Sequence, residues 1–196
     1  MSKRKRPTRK RASTQELRDL SQHVTYECDM LIGTATKLLE SPPGDTIDHN
    51  ALVESFLLHV RQLYHFFYWD QPRMDTDVLA LDYSAGWRKA RPAEPAVLKE
   101  LSKVVGMKVA HVTVHRLQKE RYPILQAGSA LLGVIRKFLD LAPPDFVARP
   151  NLQLTPSWAN TGLVFSAGPG VTTTSSPPSG SILVRADDRI DLPKPE

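Results

Sequence analysis

The stretch Asn50-Ala51-Leu52-Val53-Glu54-Ser55-Phe56-Leu57-Leu58-His59-Val60-Arg61-Gln62-Leu63-Tyr64-His65-Phe66-Phe67-Tyr68-Trp69 decides the fold of this chain. Leu52, Val53, Phe56, Leu57, Val60, Leu63, Tyr64 and Phe67 recur at steps of three and four. That periodicity predicts a helix from about Asn50 to Trp69 with a wide apolar face, which places it at the centre of a helical domain. Gln71-Pro72 stops it, because proline has no N–H to continue the hydrogen-bond ladder. Tyr64, Phe66, Phe67, Tyr68 and Trp69 circle the end of this helix. Phe66 and Trp69 are hard to bury in one small bundle, and this suggests an interface.

Helical signals continue on both sides. Upstream, Ser13 and Glu16 form a Ser-x-x-Glu capping box. Leu17, Leu20, Val24, Cys28, Leu31, Ala35 and Leu38 then make one apolar stripe, which ends at Ser41-Pro42-Pro43-Gly44-Asp45. Downstream, a connection to Pro95 holds one short helical turn, over about Asp77 to Asp82, with Trp87 as an anchor onto the core. A third helix starts near Pro95, suited to a first helical turn, and uses Leu98, Leu101, Val105 and Val109. Gly106 and the β-branched Val109, Val112 and Val114 weaken its end. A fourth helix spans about Pro123 to Leu141, with Leu125, Leu131, Leu132, Ile135, Phe138 and Leu139 inward. Four amphipathic helices joined by loops predict an all-α four-helix bundle.

The chain has 196 residues, of which 41% are hydrophobic, enough for one domain's core with chain left over. The expected division is a disordered basic tail over 1–12, a helical domain over 13–142, and a largely disordered tail over 143–196. Nine of the 16 prolines fall in that last segment, with a Thr/Ser/Pro/Gly tract from Gly168 to Ser181. Leu163-Val164-Phe165 and Ile182-Leu183-Val184 are too short and isolated for a sheet, which leaves room for one docking segment.

No apolar run approaches the ~18 residues of a membrane span, and the N-terminus is charged where a signal peptide would be apolar. Cys28, the single cysteine, forms no internal disulfide framework. The expectation is a soluble, cytoplasmic protein without membrane partners.

Seven of the 26 basic residues lie in the first eleven positions: Lys3, Arg4, Lys5, Arg6, Arg9, Lys10 and Arg11. All 21 acids lie at or beyond Glu16, so the remainder of the chain is close to neutral. The arm would attract phosphate backbones weakly and with strong salt dependence; the alternative is a solvated, solubilising terminus. A basic face across the whole domain, as a nucleic-acid-tracking protein would carry, is not supported.

Motifs for chemistry are sparse. His111 and His115 are four apart, but Val112 follows His111 where a zincin places glutamate. His59 and His65 are six apart and point in different directions from one helix. Asp75, Asp77 and Asp82 could suggest magnesium, yet capping explains Asp75 and Asp77 more simply. Cys28 falls on the apolar stripe and reads as a small buried hydrophobe. No Gly-x-Ser-x-Gly, phosphate-binding glycine loop or dinucleotide fingerprint occurs in the sequence. Neither a metal nor a cofactor is expected.

The stretch from Asn50 to Leu63 with Phe66-Phe67, then Asp77-Val78-Leu79-Ala80, Asp82-Tyr83 and Trp87, and then Lys108-Val109-Ala110-His111-Val112-Thr113 resembles a group of bacterial helical proteins. That group is in turn similar to HEPN domains, helical bundles of toxin–antitoxin and phage-defence systems. The likeness covers roughly residues 24 to 141.

The resemblance implies RNA or nucleotide binding, with metal-independent cleavage in the active members. There, histidine moves the 2′-hydroxyl proton and arginine steadies the pentacovalent phosphate. The HEPN motif is Arg, four to six residues, then His. His111 matches the histidine by its Ala-His context, but the arginine positions hold Val104, Val105 and Gly106. Lys103 and Lys108 are the nearest cations; Arg61 and His65 enclose three residues, and Arg18 and His23 enclose four on the first helix.

On this reading His111 is the acid/base and Arg61 or Arg116 the phosphate contact, with His65, His115, Arg116 and the basic arm along the nucleic acid. The alternatives are that Arg61 and His111 merely hold helices in register, or that the chain is a non-catalytic interaction module. Such a module would be antitoxin-like or a homodimer through the second helix. The motif's departure leaves an enzyme unassigned.

Overall fold

The computed structural model describes residues 12–41, 46–109, 122–142, 146, 156 and 158. Its described residues form six α-helices and no strand: α1 (Thr14–Glu40), α2 (Ile47–Tyr68), α3 (Ala80–Tyr83), α4 (Trp87–Ala90), α5 (Ala96–Val104) and α6 (Ile124–Leu141). A five-residue π-helical turn, Val105–Val109, extends α5. The chain is all-α. The helix α2 touches α1, α5 and α6, and α6 also packs on α1 and α5. No described helix is long and apolar enough to cross a membrane.

The two long N-terminal helices begin at side chains that satisfy free N–H groups. At α1 the capping box is complete: the Glu16 amide donates to Ser13 Oγ at 3.3 Å, and the Ser13 amide donates to Glu16 Oε2 at 2.7 Å. The second helix starts at Ile47, three residues before the expected Asn50. The reason is Thr46, whose hydroxyl accepts from the His49 amide at 3.1 Å and supplies an N-cap. Pro95 is the N-cap of α5 rather than its first helical residue.

The connection from Asp70 to Pro95 carries two helical turns, α3 and α4, where one was expected over Asp77 to Asp82. Asp77 ties down the loop after α2, and Asp82 caps the start of α3. Asp77 Oδ2 accepts the amides of Arg73 and Met74 at 2.9 and 2.8 Å, and Asp82 Oδ2 accepts the amide of Leu79 at 2.8 Å.

This connection also serves α2, whose last carbonyls have no partner within the helix. Trp87 Nε1 donates to the Phe67 carbonyl at 2.8 Å, and Arg91 Nη1 donates to the Tyr68 carbonyl at 2.9 Å. The Arg91 guanidinium lies over the Tyr68 ring, 5.6 Å from its centroid, and pairs with Asp70 at 3.2 Å. Trp87 is fully buried, the anchor that the sequence predicts.

The core is centred on aromatic residues. Phe138 of α6 makes edge-to-face contacts with Phe66, Phe67, Tyr83, Trp87 and Phe146. Phe66 is therefore inside the fold, although it was expected to be hard to bury in one small bundle. The short α3 is what encloses it, through Tyr83, whose hydroxyl donates to the Leu17 carbonyl at 2.8 Å. Phe146 and Trp158, both beyond Ala142, also belong to the core. Trp158 Nε1 donates to Thr36 Oγ1 on α1 at 3.0 Å.

Candidate functional site

On α2, Arg61, His65 and Trp69 follow one another at intervals of four, so they rise along one side of the helix. The His65 and Trp69 rings are stacked, with centroids 3.8 Å apart and planes 24° from parallel. A second contact that fixes His65 comes from α5, where Ser102 Oγ lies 3.0 Å from Nε2. The imidazole is thus clamped between an indole and a hydroxyl on a neighbouring helix.

Burial lowers the His65 pKa to about 4, helped by the positive charges of Arg61 and then Arg73 and opposed by Asp77. His65 is therefore neutral near pH 7, and the Ser102 hydroxyl can donate to its unprotonated nitrogen.

Arg61 is half-buried, and among the described residues its guanidinium has neither a carboxylate nor a hydrogen-bond partner. Arg73, on the loop after α2, is exposed and its field reaches the same imidazole. The opposing Asp77 carboxylate is already bound to two backbone amides. The result is a patch of positive potential around a neutral, stacked aromatic pair, an arrangement that favours an anion at its surface.

Of the residues expected to act together, Arg61 and His65 share this patch. His111, His115, Arg116 and the arm cations Lys3, Arg4, Lys5, Arg6, Arg9, Lys10 and Arg11 lie outside the described residues, as does most of the tail from 143 onward. The π-helical turn that precedes His111 in sequence packs on α2 and α5. Lys103, a near cation in the sequence, is bound to Glu100 at 2.8 Å on the exposed side of α5.

The sequence pattern contained the Trp69 signal, because Trp69 stands four residues after His65. Ser102 and Arg73 carried no such signal, since they reach His65 only through tertiary packing.

The other histidines and the cysteine have structural surroundings. His59 Nδ1 is 2.6 Å from Glu27 Oε2, joining α2 to α1, and Tyr26 meets the His59 ring edge-on. Cys28 is buried, and burial raises its thiol pKa well above the ordinary range, so the thiolate is suppressed. No group of three or more His, Cys, Asp or Glu side chains among the described residues could hold a metal.

An open cleft of about 360 Å³ lies between α1, α2 and the loop before α3. Its floor includes Leu20, Val24, Leu63 and Phe66, and Glu27 and Asp77 stand at its polar side. Both carboxylates are already engaged, Glu27 with His59 and Asp77 with the loop amides.

No family model matches the chain, and no curated protein or solved structure matches it.

Proposed function

We propose that this protein is a HEPN-like four-helix bundle that binds RNA or a nucleotide through phosphate contacts at the Arg61 patch. The observation that carries this reading is the half-buried Arg61, unpartnered among the described residues, whose charge acts together with that of Arg73 on His65. A guanidinium partly removed from water, with no acid to balance it among the described residues, favours a phosphate that can take two of its hydrogen bonds. His65 acts here as a positioning residue, since its nitrogen is engaged by Ser102 and it stays neutral at physiological pH. The basic arm adds sequence-independent attraction. Any cleavage is the work of His111.

The test is RNA binding and cleavage at two salt concentrations. It compares the wild-type chain with Arg61→Ala, with His111→Ala and with a variant whose seven arm cations are changed to glutamine. Arg61→Ala should weaken binding and reduce the slope of log K against log salt by about 0.7 for a single strand, one phosphate contact's worth. Cleavage abolished only by His111→Ala would make the protein a nuclease with a departed motif. Binding that disappears with the arm charges and is indifferent to Arg61 would remove the patch from the function.

A further inference from the structure

We infer that Trp69 is a nucleobase-stacking residue, on which an unpaired base packs while its phosphate meets Arg61 or Arg73. The inference rests on the phosphate-binding reading and adds the part of the ligand that phosphate contacts leave unread. Within the aromatic end of α2, Tyr64, Phe66, Phe67 and Tyr68 are all buried, whereas Trp69 keeps part of its surface in water.

Trp69 is also held in place. It is the C-cap of α2 in an extended conformation, with its amide donating to the His65 carbonyl at 3.2 Å and its ring laid on the His65 ring. His65 is in turn fixed by Ser102, so the indole is ordered before any ligand arrives and little rotamer freedom remains to be lost on binding.

A partly exposed, rigid indole stacked on an imidazole that feels two guanidinium charges, both without a side-chain partner among the described residues, offers the combination that single-stranded nucleic acids use, with stacking for the base and charge for the backbone. A duplex offers phosphates to the arginines but keeps its bases stacked within the helix, so the indole adds nothing to its affinity. The shared chemistry, a free base with a phosphate attached, is present both in a mononucleotide and in a single strand.

The experiment uses the full chain and three probes: adenosine 5′-monophosphate, a labelled single-stranded adenine dodecamer, and a labelled RNA duplex of equal length. Binding is read by anisotropy for the labelled RNAs and by tryptophan quenching for all three. Trp87 and Trp158 are buried, so the quenchable signal belongs to Trp69. Trp69→Ala should lower single-strand affinity about tenfold and leave duplex affinity unchanged, and Trp69→Phe, which keeps an aromatic face, should stay within about threefold of wild type. Trp69→Phe preserves the packing but removes the reporting indole, so if the alanine variant unfolds the phenylalanine variant decides: it should bind the strand by anisotropy with the quenching lost, and quenching that persists in it would overturn the inference.

Quenching by the monophosphate as complete as that by the strand would identify a free nucleotide as the ligand, and quenching by the strand alone would identify RNA. Equal affinity for strand and duplex, both insensitive to Trp69 and both weakened by Arg61→Ala, would overturn the stacking inference and leave the phosphate reading standing. No binding that responds to Arg61→Ala would overturn both.

Discussion

At the scale of single residues, His65 shows how a titratable group can be put to structural use. In an unfolded chain its pKa lies near 6.5, and in the fold burial and the neighbouring guanidinium groups hold it at about 4. The folded state therefore prefers the neutral ring. The stabilising difference is fully present above pH 6.5 and is lost as pH falls from 6.5 toward 4, because the unfolded chain takes up the proton first. We expect the His65 ring resonances to titrate near pH 4 by NMR, and Arg61→Gln to move that midpoint upward by removing a like charge. A midpoint near 6.5 in the wild-type protein would mean that the clamp between Trp69 and Ser102 does not exist in solution. The sequence alone placed His65 beside Arg61, since both sit on one helix. It could not give the direction of the shift, which depends on burial under α5.

At the scale of elements, periodicity and capping residues carried most of the information. The α1 capping box, the span of α6 and the broad buried face of α2 all follow from local pattern. The connection between α2 and α5 was less readable, because its two turns are stabilised by what they do for α2 rather than by a periodicity of their own. Two glycines of α6 show the same division between local and tertiary effects. A Cβ added at Gly133 would meet nothing within 4 Å, whereas one at Gly128 would come within 3.0 Å of the Trp158 ring. Gly133→Ala should therefore stabilise the protein by up to about 1 kcal/mol through helix propensity. Gly128→Ala must displace an indole packed against the helix, and the steric cost, about 1–3 kcal/mol for an overpacked core, outweighs the propensity gain. Thermal or denaturant melts of the two variants should shift in opposite directions. Shifts of the same sign would show that Trp158 does not rest on Gly128.

At the scale of the whole molecule, the surprise is where the core ends. The sequence divides sharply at Pro143, because the chain beyond it is rich in proline, serine and threonine, and composition reports on the average of a segment rather than on its individual members. Phe146 and Trp158 are the exceptions that composition averages away. Phe146 closes the aromatic cluster against Tyr83 and Phe138, and Trp158 is received by Thr36 of α1 and Gly128 of α6. The small residues on the two helices make the room, so the site for the indole was encoded far from the tail that fills it. Trp158→Ala should lower stability by about 3–5 kcal/mol, since it removes a buried indole and leaves a cavity over two helices. For a chain of this size that corresponds to a fall in Tm on the order of 10 °C. Trp158→Phe keeps much of the volume but loses the hydrogen bond to Thr36, and should account for only a minor share of that fall. A Tm unchanged by Trp158→Ala would place the boundary of the folded unit at Ala142 after all.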